Sequence, residues 1–440
     1  MIKTLTSAFK NKDIRKKLLY TLMMLVVIRI GSLLPIPGVD TEYFSTLLSG
    51  FNSGDFSYLS AFTGGSFEKM SLFALSITPY ITSSIIMQLL TIAIPKLEEM
   101  QKEGEDGRKK IASITRYVTI ALALIESIAM AVGFGRQGLI KDYKDMSTIH
   151  YVTCIIVVVA ALTAGSAVLM WIGERITEKG VGNGISIVLL INIISGMPSD
   201  FVTLYSTFVA NKSIARGVTV AVIIAAIVIA VVVLVVILQD GERRIPVQYS
   251  QKVAGRKTIG GQATNIPLKV NTAGVMPIIF ASSIMQFPVI IVQLFTSNSY
   301  EWTKYLSQSY WCRVQMPKYS IGLLLYIILV VVFAYFYTSI TFNPVQIADN
   351  LKKAGGVVPG ITPGRSTSEY LNKILNYIVF IGAVGLMIVA LIPIMCTGFF
   401  NASVSFGGTS NIIIVGVVLE TMKQIESMMV NRNYRGFLSE

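Results

Sequence analysis

Ile77, Ile81, Ser84 and Gln88 are spaced i, i+4, i+7 and i+11, so on a helix they fall on one continuous face. Isoleucines at such positions ordinarily contact lipid or core. On a polar, proline-bearing helix they suit a different chemistry, the drying of a water path at a hydrophobic constriction. The span that carries them, Met70 to Ile94, is long enough to cross a bilayer, which takes about 20 apolar residues. It nonetheless contains Ser71, Ser76, Thr78, Pro79, Tyr80, Thr82, Ser83, Ser84, Gln88 and Thr91. So many polar groups do not face hydrocarbon. Ahead of it, Tyr58 to Phe67 is broken by Gly64-Gly65 and is too short to span, so it reads as a half-helix that dips in and turns back. Irregular backbone at membrane depth is tolerated where protein or a water-filled cavity covers it.

Other chemistry is sparse. The chain shows no constellation of nucleophile, base and acid, and no enzyme is expected. The glycines of GVGNG, Gly180 to Gly184, lack the strand context and the Lys-Ser/Thr ending of a phosphate cradle; a tight turn capped by Asn183 fits them better. Arg29 and Glu126 lie inside apolar spans and are proton-relay candidates by position. A transporter needs several such groups, so a structural ion pair or a snorkelling group is the expectation for both. His150 is the only histidine, and Cys154, Cys312 and Cys396 have no metal-ligand spacing; neither metal nor cofactor is expected.

The elements that must position the constriction are membrane helices. Hydrophobic residues make up 53% of the 440 and charged residues 14%, with mean hydropathy +0.65. A soluble domain carries roughly 25% charged residues. The expected fold class is therefore an all-α polytopic membrane protein. Ten transmembrane helices can be drawn: Leu18–Pro35, Met70–Ile94, Ile111–Phe134, Tyr151–Ile172, Gly184–Val209, Val218–Leu238, Asn271–Phe295, Ser320–Phe342, Ile374–Ile394 and Asn411–Val430. Most of the 37 lysines and arginines fall on one set of loops, which places both termini in the cytoplasm and accounts for the net charge of +13. The basic N-terminus imitates a signal peptide, but no cleavage pattern follows, so the first span is expected to be retained. Met1 to Phe9 suggests a short helix on the membrane surface, and Tyr300, Trp302, Tyr305, Tyr310 and Trp311 an interfacial aromatic belt. Val218–Leu238 should face lipid. Polar, proline-bearing spans recur as the second of each set of five, so residues 1–209 and 210–440 read as inverted halves.

Two cytoplasmic loops are too long to be mere connections. Residues 240–269 alternate, with Ile245, Val247 and Tyr249 on one side and a basic turn at Gly255-Arg256-Lys257, which reads as a protruding hairpin. Residues 350–373 are rich in Gly and Pro and carry Lys352, Lys353 and Arg365. Together they look like a docking platform. An ion-coupled transporter, the rival reading, needs paired charges at midplane and offers no role for such loops.

RIGSLLPIPGVD (Arg29–Asp40), FALSITPYITSSIIMQLL, EGEDGRKK (Glu103–Lys110), GERITEKGVGNGIS (Gly173–Ser186), IPLKVNTAGVMPIIFASSI (Ile266–Ile284), NPVQIADNLKKAGGVVPGI (Asn343–Ile361) and FGGTS (Phe406–Ser410) resemble bacterial SecY, the channel subunit of the Sec protein translocon. The resemblance runs in order over essentially the whole chain. It implies a ten-helix protein of two pseudo-symmetric halves that opens like a clam and conducts unfolded polypeptide across, or sideways into, the cytoplasmic membrane. It further implies a pore ring at Ile77, Ile81, Ile185, Leu189, Ile279 and Ile413, and a plug at 58–67 that includes Tyr58, Leu59, Ala61, Phe62, Gly64, Gly65 and Phe67. The second, third, seventh and eighth helices become a lateral gate, with Gln88 and Asn271 as its polar contacts. Arg243, Arg244, Arg256, Lys257, Lys352, Lys353 and Arg365 become contacts for a SecA motor ATPase or a ribosome. The remaining implied partners are SecE- and SecG-like small membrane subunits, signal-sequence-bearing polypeptides and anionic lipids. One motif departs: where the family usually reads GIRPG, this chain reads GITPG, with Thr362 in place of the arginine and Arg365 three residues on.

Overall fold

The computed structural model describes residues 9–50, 63–140, 147–208, 214–249, 252–254, 257–259, 263–295, 300–313, 316–400 and 408–436. A helix occupies each of the ten expected spans. These are α1 (Lys12–Leu33), α3 (Thr78–Ala93), α5 (Glu105–Phe134), α6 (Thr148–Lys179), α7 (Gly184–Phe208), α8 (Ile214–Asp240), α9 (Met276–Phe295), α11 (Ile321–Thr341), α13 (Arg365–Phe400) and α14 (Gly408–Gly436). Short helices α2 (Thr41–Gly50), α4 (Pro95–Lys102), α10 (Glu301–Leu306) and α12 (Pro344–Lys353) lie between them. Among the described residues five helices are long and apolar enough to cross a membrane on those grounds alone, and α3 with α4 forms a sixth candidate bent by 101°. Of the others, α1 and α14 carry charge, and α7 and α9 include the shorter apolar stretches Gly184–Ser199 and Met276–Val289. The chain is an all-α polytopic membrane protein.

Two expectations along the spans are corrected. Met70–Ile77 is a run of turns, not the start of a helix: Met70 and Ser76 have φ of 40° and 53°, and α3 begins only after Ile77, with Pro79 in its first turn. The Asn192 amide donates to the Ser76 hydroxyl at 2.9 Å and fixes that bend from a distant helix. The outer aromatic belt is likewise a packed cap. Tyr300 and Trp302 are exposed, but Tyr310, Trp311 and Tyr319 are buried, and the Trp311 indole N–H donates to the Tyr305 carbonyl at 2.8 Å. Except for Phe9, the expected surface helix at Met1–Phe9 lies outside the described residues. The sixth span behaves as read: Val218, Val222, Ile223, Ile229 and Val233 of α8 are all exposed.

The cap also holds a titratable cluster. Hydrogen bonds from Lys304, Tyr319 and Lys318 hold the Glu301 carboxyl at about 2, below its ordinary 4.5. A depressed carboxylate stabilises the fold above its unfolded value and loses that contribution as pH falls through its folded one. The cap is therefore expected to loosen between pH 4.5 and 2. Fluorescence of Trp311, read in a chain with Trp171 and Trp302 replaced by Phe, should change over that window, and Glu301→Gln should abolish the change.

Apolar contacts group the helices. One cluster, between Ile36 and Leu162, knits α2, α5 and α6 together with Phe67 and Met70; another, between Val231 and Ile412, knits α8, α9, α11, α13 and α14. Outside the membrane helices, β1 (Glu242–Tyr249) and β4 (Ala263–Lys269) pair antiparallel, Ile245 opposite Ile266, with β2 (Lys252–Ala254) and β3 (Lys257–Ile259) paired beyond them. The alternation read in the sequence is borne out on one face: Ile245 and Val247 are buried and Tyr249 packs against them. The second loop joins this hairpin, because β5 (Gly356–Val357) adds to β1 and makes a three-stranded sheet in the order β4-β1-β5. Leu351, Val358, Leu371 and Ile374 complete its core.

Candidate functional site

Ile77 sits at the N-terminal cap of α3, where its carbonyl accepts the backbone N–H groups of Tyr80 and Ile81, both at 3.1 Å. One turn on, Ile81 lies above it on the same face. A tight turn delivers the next helix: Asn183 accepts the Ile185 N–H on its side-chain oxygen at 3.1 Å, and the Thr21 hydroxyl of α1 accepts the Val181 N–H at 3.1 Å. Ile185 and Leu189 thereby start α7 with the spacing of the isoleucine pair. These four residues, with Ile279 of α9 and Ile413 of α14, fall in one apolar cluster that draws on both groups of helices. Ile77, Leu189, Ile279 and Ile413 are buried, and Ile81 and Ile185 are half-buried. Side chains from four helices converge on one closed knot with no charge in it.

Outside this knot lies the end of the short segment. Tyr58, Leu59, Ala61 and Phe62 are outside the described residues. Gly64 and Gly65 turn the chain with φ of 63° and 79°, as the break in the sequence suggested. Gly64 touches α7 so closely that a Cβ there would stand 2.5 Å from the Ser195 hydroxyl and 2.7 Å from the Asn192 carbonyl. The Ser195 hydroxyl accepts from the Arg29 guanidinium at 2.9 Å and shares its one proton between the Asn192 carbonyl at 2.7 Å and the Gly64 carbonyl at 3.3 Å. Of the two expectations for Arg29, an ion pair or a snorkelling group, the ion pair is not what the structure shows: the guanidinium holds a neutral hydroxyl. Glu126 is half-buried on α5 and has no ion-pair partner among the described residues. Phe67 packs edge-on against Phe44 and Phe134.

Beside the knot runs a seam between α3 on one side and α9 with α11 on the other. Gln88 is half-buried and Asn271 buried, but no hydrogen bond joins them. The seam is closed instead by Ile81 and Ile85 against Phe280, Phe333, Phe336 and Tyr337. Sequence reasoning passed over these aromatics because they sit in ordinary apolar runs. The Ser83 hydroxyl hydrogen-bonds that of Thr119 and ties α3 to α5.

On the sheet and its neighbouring loop, Arg243, Lys352 and Lys353 are exposed. Arg244 is neutralised by Glu242 at 2.6 Å, and Arg365, 93% exposed, by Glu369 at 3.0 Å. Arg256 lies outside the described residues, as does the side chain of Lys257 on β3. Thr362 is exposed, and its carbonyl accepts the Thr367 hydroxyl at 2.9 Å.

The chain matches the SecY family model over residues 71–422. It is 42% identical to the protein translocase subunit SecY of Streptomyces galbus and 41% identical to that of Bacillus subtilis, in each case over 100% of both chains. The chain belongs to the SecY family. Its fold is similar to a solved protein-conducting channel, with a TM-score of 0.59 at 18% identity, covering 94% of this chain and 93% of that one. It also resembles Sec61 in the canine ribosome-channel complex from the endoplasmic reticulum, with a TM-score of 0.58 at 17% identity over 94% and 93% of the two chains. The SecY-family fold thus has its apolar knot, its glycine-turned segment and its aromatic seam within one bundle.

Proposed function

We propose that this chain is a protein-conducting channel that passes unfolded polypeptides across the bacterial cytoplasmic membrane and releases apolar segments sideways into lipid. The observation that carries this reading is the convergence of Ile77, Ile81, Ile185, Leu189, Ile279 and Ile413 from α3, α7, α9 and α14. A dry apolar collar resists ions because wetting it is unfavourable, and its side chains can yield around a moving chain. In this reading residues 1–209 and 210–440 are two inverted halves meeting at the collar, the segment 58–67 is a plug, and the α3–α9/α11 seam is the lateral gate. Both termini lie in the cytoplasm, and SecE- and SecG-like subunits accompany the chain. The ion-coupled transporter is disfavoured because Arg29, the intramembrane cation it would use, is bonded to a neutral serine. The test is reconstitution with a SecE-like subunit and SecA, reading ATP-driven protection of a precursor from protease. No protected precursor would end the reading.

The driving partner, SecA or a translating ribosome, docks on the sheet and the 350–373 loop in this reading. Charge reversal at Lys352 and Lys353, or at Arg256 and Lys257, is expected to weaken that binding. If ribosomal RNA is the partner, each lost phosphate contact should lower the slope of log affinity against log salt by about 1. Binding measured across a salt series checks this; an unchanged slope and affinity would place docking elsewhere. Arg365→Glu should impair transport and Thr362→Arg leave it equal or better, if Arg365 substitutes for the family's arginine.

A further inference from the structure

The seam is shut by aromatic rings, and one of them carries a polar atom that nothing satisfies. Phe280 of α9 and Tyr337 of α11 meet edge to face, centroids 4.9 Å apart at 70°, with Phe333 and Phe336 flanking them and Ile85 of α3 packed on the pair. Tyr337 is only 5% exposed, and its hydroxyl has no hydrogen-bond partner among the described residues. Its neighbours on α11 are satisfied: Thr338, Ser339 and Thr341 donate to the carbonyls of Ala334, Phe336 and Tyr337. Those short side chains reach back to their own helix, as hydroxyls at membrane depth do. A phenol cannot fold back onto its own backbone, so its O–H depends on a group across the packing, and its ring packs in a cluster with Phe280, Phe333, Phe336 and Ile85. Buried hydroxyls nearly always find a partner, which makes this one a feature to explain. Among the described residues the Asn271 amide nitrogen and the Gln286 amide oxygen are also buried without partners.

We propose that Tyr337 sets the opening threshold of the seam: its ring holds α11 and α9 shut against α3, and its unpartnered hydroxyl favours the parted state. When the seam parts, water or the backbone of an entering segment reaches the phenol, and the desolvated O–H gains a partner that it lacks when shut. The two effects oppose each other on one side chain, so the closed state is poised instead of locked. The cargo that opens it is an apolar helix, which replaces the ring contacts with its own side chains. This inference rests on the seam being the lateral exit of the channel proposed above.

The test separates the two atoms of the argument and is read without transport. Spin labels at Leu90 of α3 and Ile284 of α9, both exposed, report the width of the seam in a chain whose three cysteines are replaced by alanine. Tyr337→Phe keeps the ring and removes the orphan hydroxyl, so the long-distance population should fall roughly tenfold. Phe280→Leu keeps the hydroxyl and removes the edge-to-face contact, so that population should rise roughly fivefold. A Tyr337→Phe channel that opens as often as the wild type, or both variants shifting the same way, would overturn the proposal. Precursor entry into the same vesicles reports on the channel itself. Distances that respond without any entry would leave the threshold residue standing and remove the translocation reading; entry with unresponsive distances would do the reverse.

Discussion

Ile81→Asn, reconstituted and recorded in planar bilayers, is expected to raise resting ion conductance severalfold and to let precursors with weakened signal sequences pass. The six residues of the proposed collar lie in a packed apolar knot, with Ile77 and Ile413 at most 1% exposed. Their neighbours in the closed cluster are apolar side chains such as Val188, Ile193 and Val417. An asparagine placed there is buried without partners when the collar is dry and hydrated when it is wet. Because Ile81 is half-buried, the penalty is at the low end, about 1 kcal/mol, and it falls on the closed state, shifting the closed-to-open ratio by roughly fivefold. Ile81 is half-buried, so its replacement should leave the bundle folded. Ile413→Asn should leak as well, with a larger loss of thermal stability, because a fully buried aliphatic side chain contributes about 1.5–3 kcal/mol. Ile227→Asn on the lipid-facing side of α8 is the control. It should disturb insertion and leave conductance alone. Equal leakage from Ile227→Asn and Ile81→Asn would mean that the pore lies on other helices.

How legible this was depends on the range of the interactions involved. All ten helices were readable because each is an apolar run whose period and length are local properties. The Asn183 cap and the alternation of Ile245, Val247 and Tyr249 are local too. The bend at Met70–Ile77 was not readable, since its positive φ values answer to an Asn192–Ser76 bond across 116 residues. Arg29 found a partner 166 residues away, and a neutral one, where its place in an apolar span suggested an ion pair or a snorkelling group. β5 is two residues long, and no pattern of that length announces that residues 240–269 and 350–373 share a sheet. At the proposed gate, Gln88 and Asn271 were named through the resemblance; the packing there is made by Phe280 and Tyr337 with Ile85, aromatic and aliphatic residues of ordinary membrane-helix type. The six collar residues were assigned through resemblance, and only the Ile77–Ile81 face came from spacing.

Gly64→Val is expected to leak ions as strongly as removal of the plug itself. Gly64 has φ of +63° and lies against α7, so a side chain meets both a left-handed backbone, which costs about 1–2 kcal/mol, and the Ser195 hydroxyl and Asn192 carbonyl. Ser195 is the same group that takes the Arg29 hydrogen bond and donates to the Gly64 carbonyl, so displacing the turn undoes the whole attachment. Gly65→Ala is the matched control. It bears the same kind of φ, +79°, but its Cβ would meet nothing within 4 Å, so it tests strain without collision and should leak far less. The comparison deletion should stop at Phe62. Taking it to Phe67 would strip an aromatic that packs against Phe44 and Phe134 in a buried cluster, and a lost buried phenylalanine costs about 3–5 kcal/mol, enough to confuse leakage with misfolding. With residues 58–62 removed, single-channel recordings should show frequent openings in an otherwise stable protein. A silent deletion would remove the plug assignment. A leaking deletion beside a silent Gly64→Val would keep the plug and move its anchor away from α7.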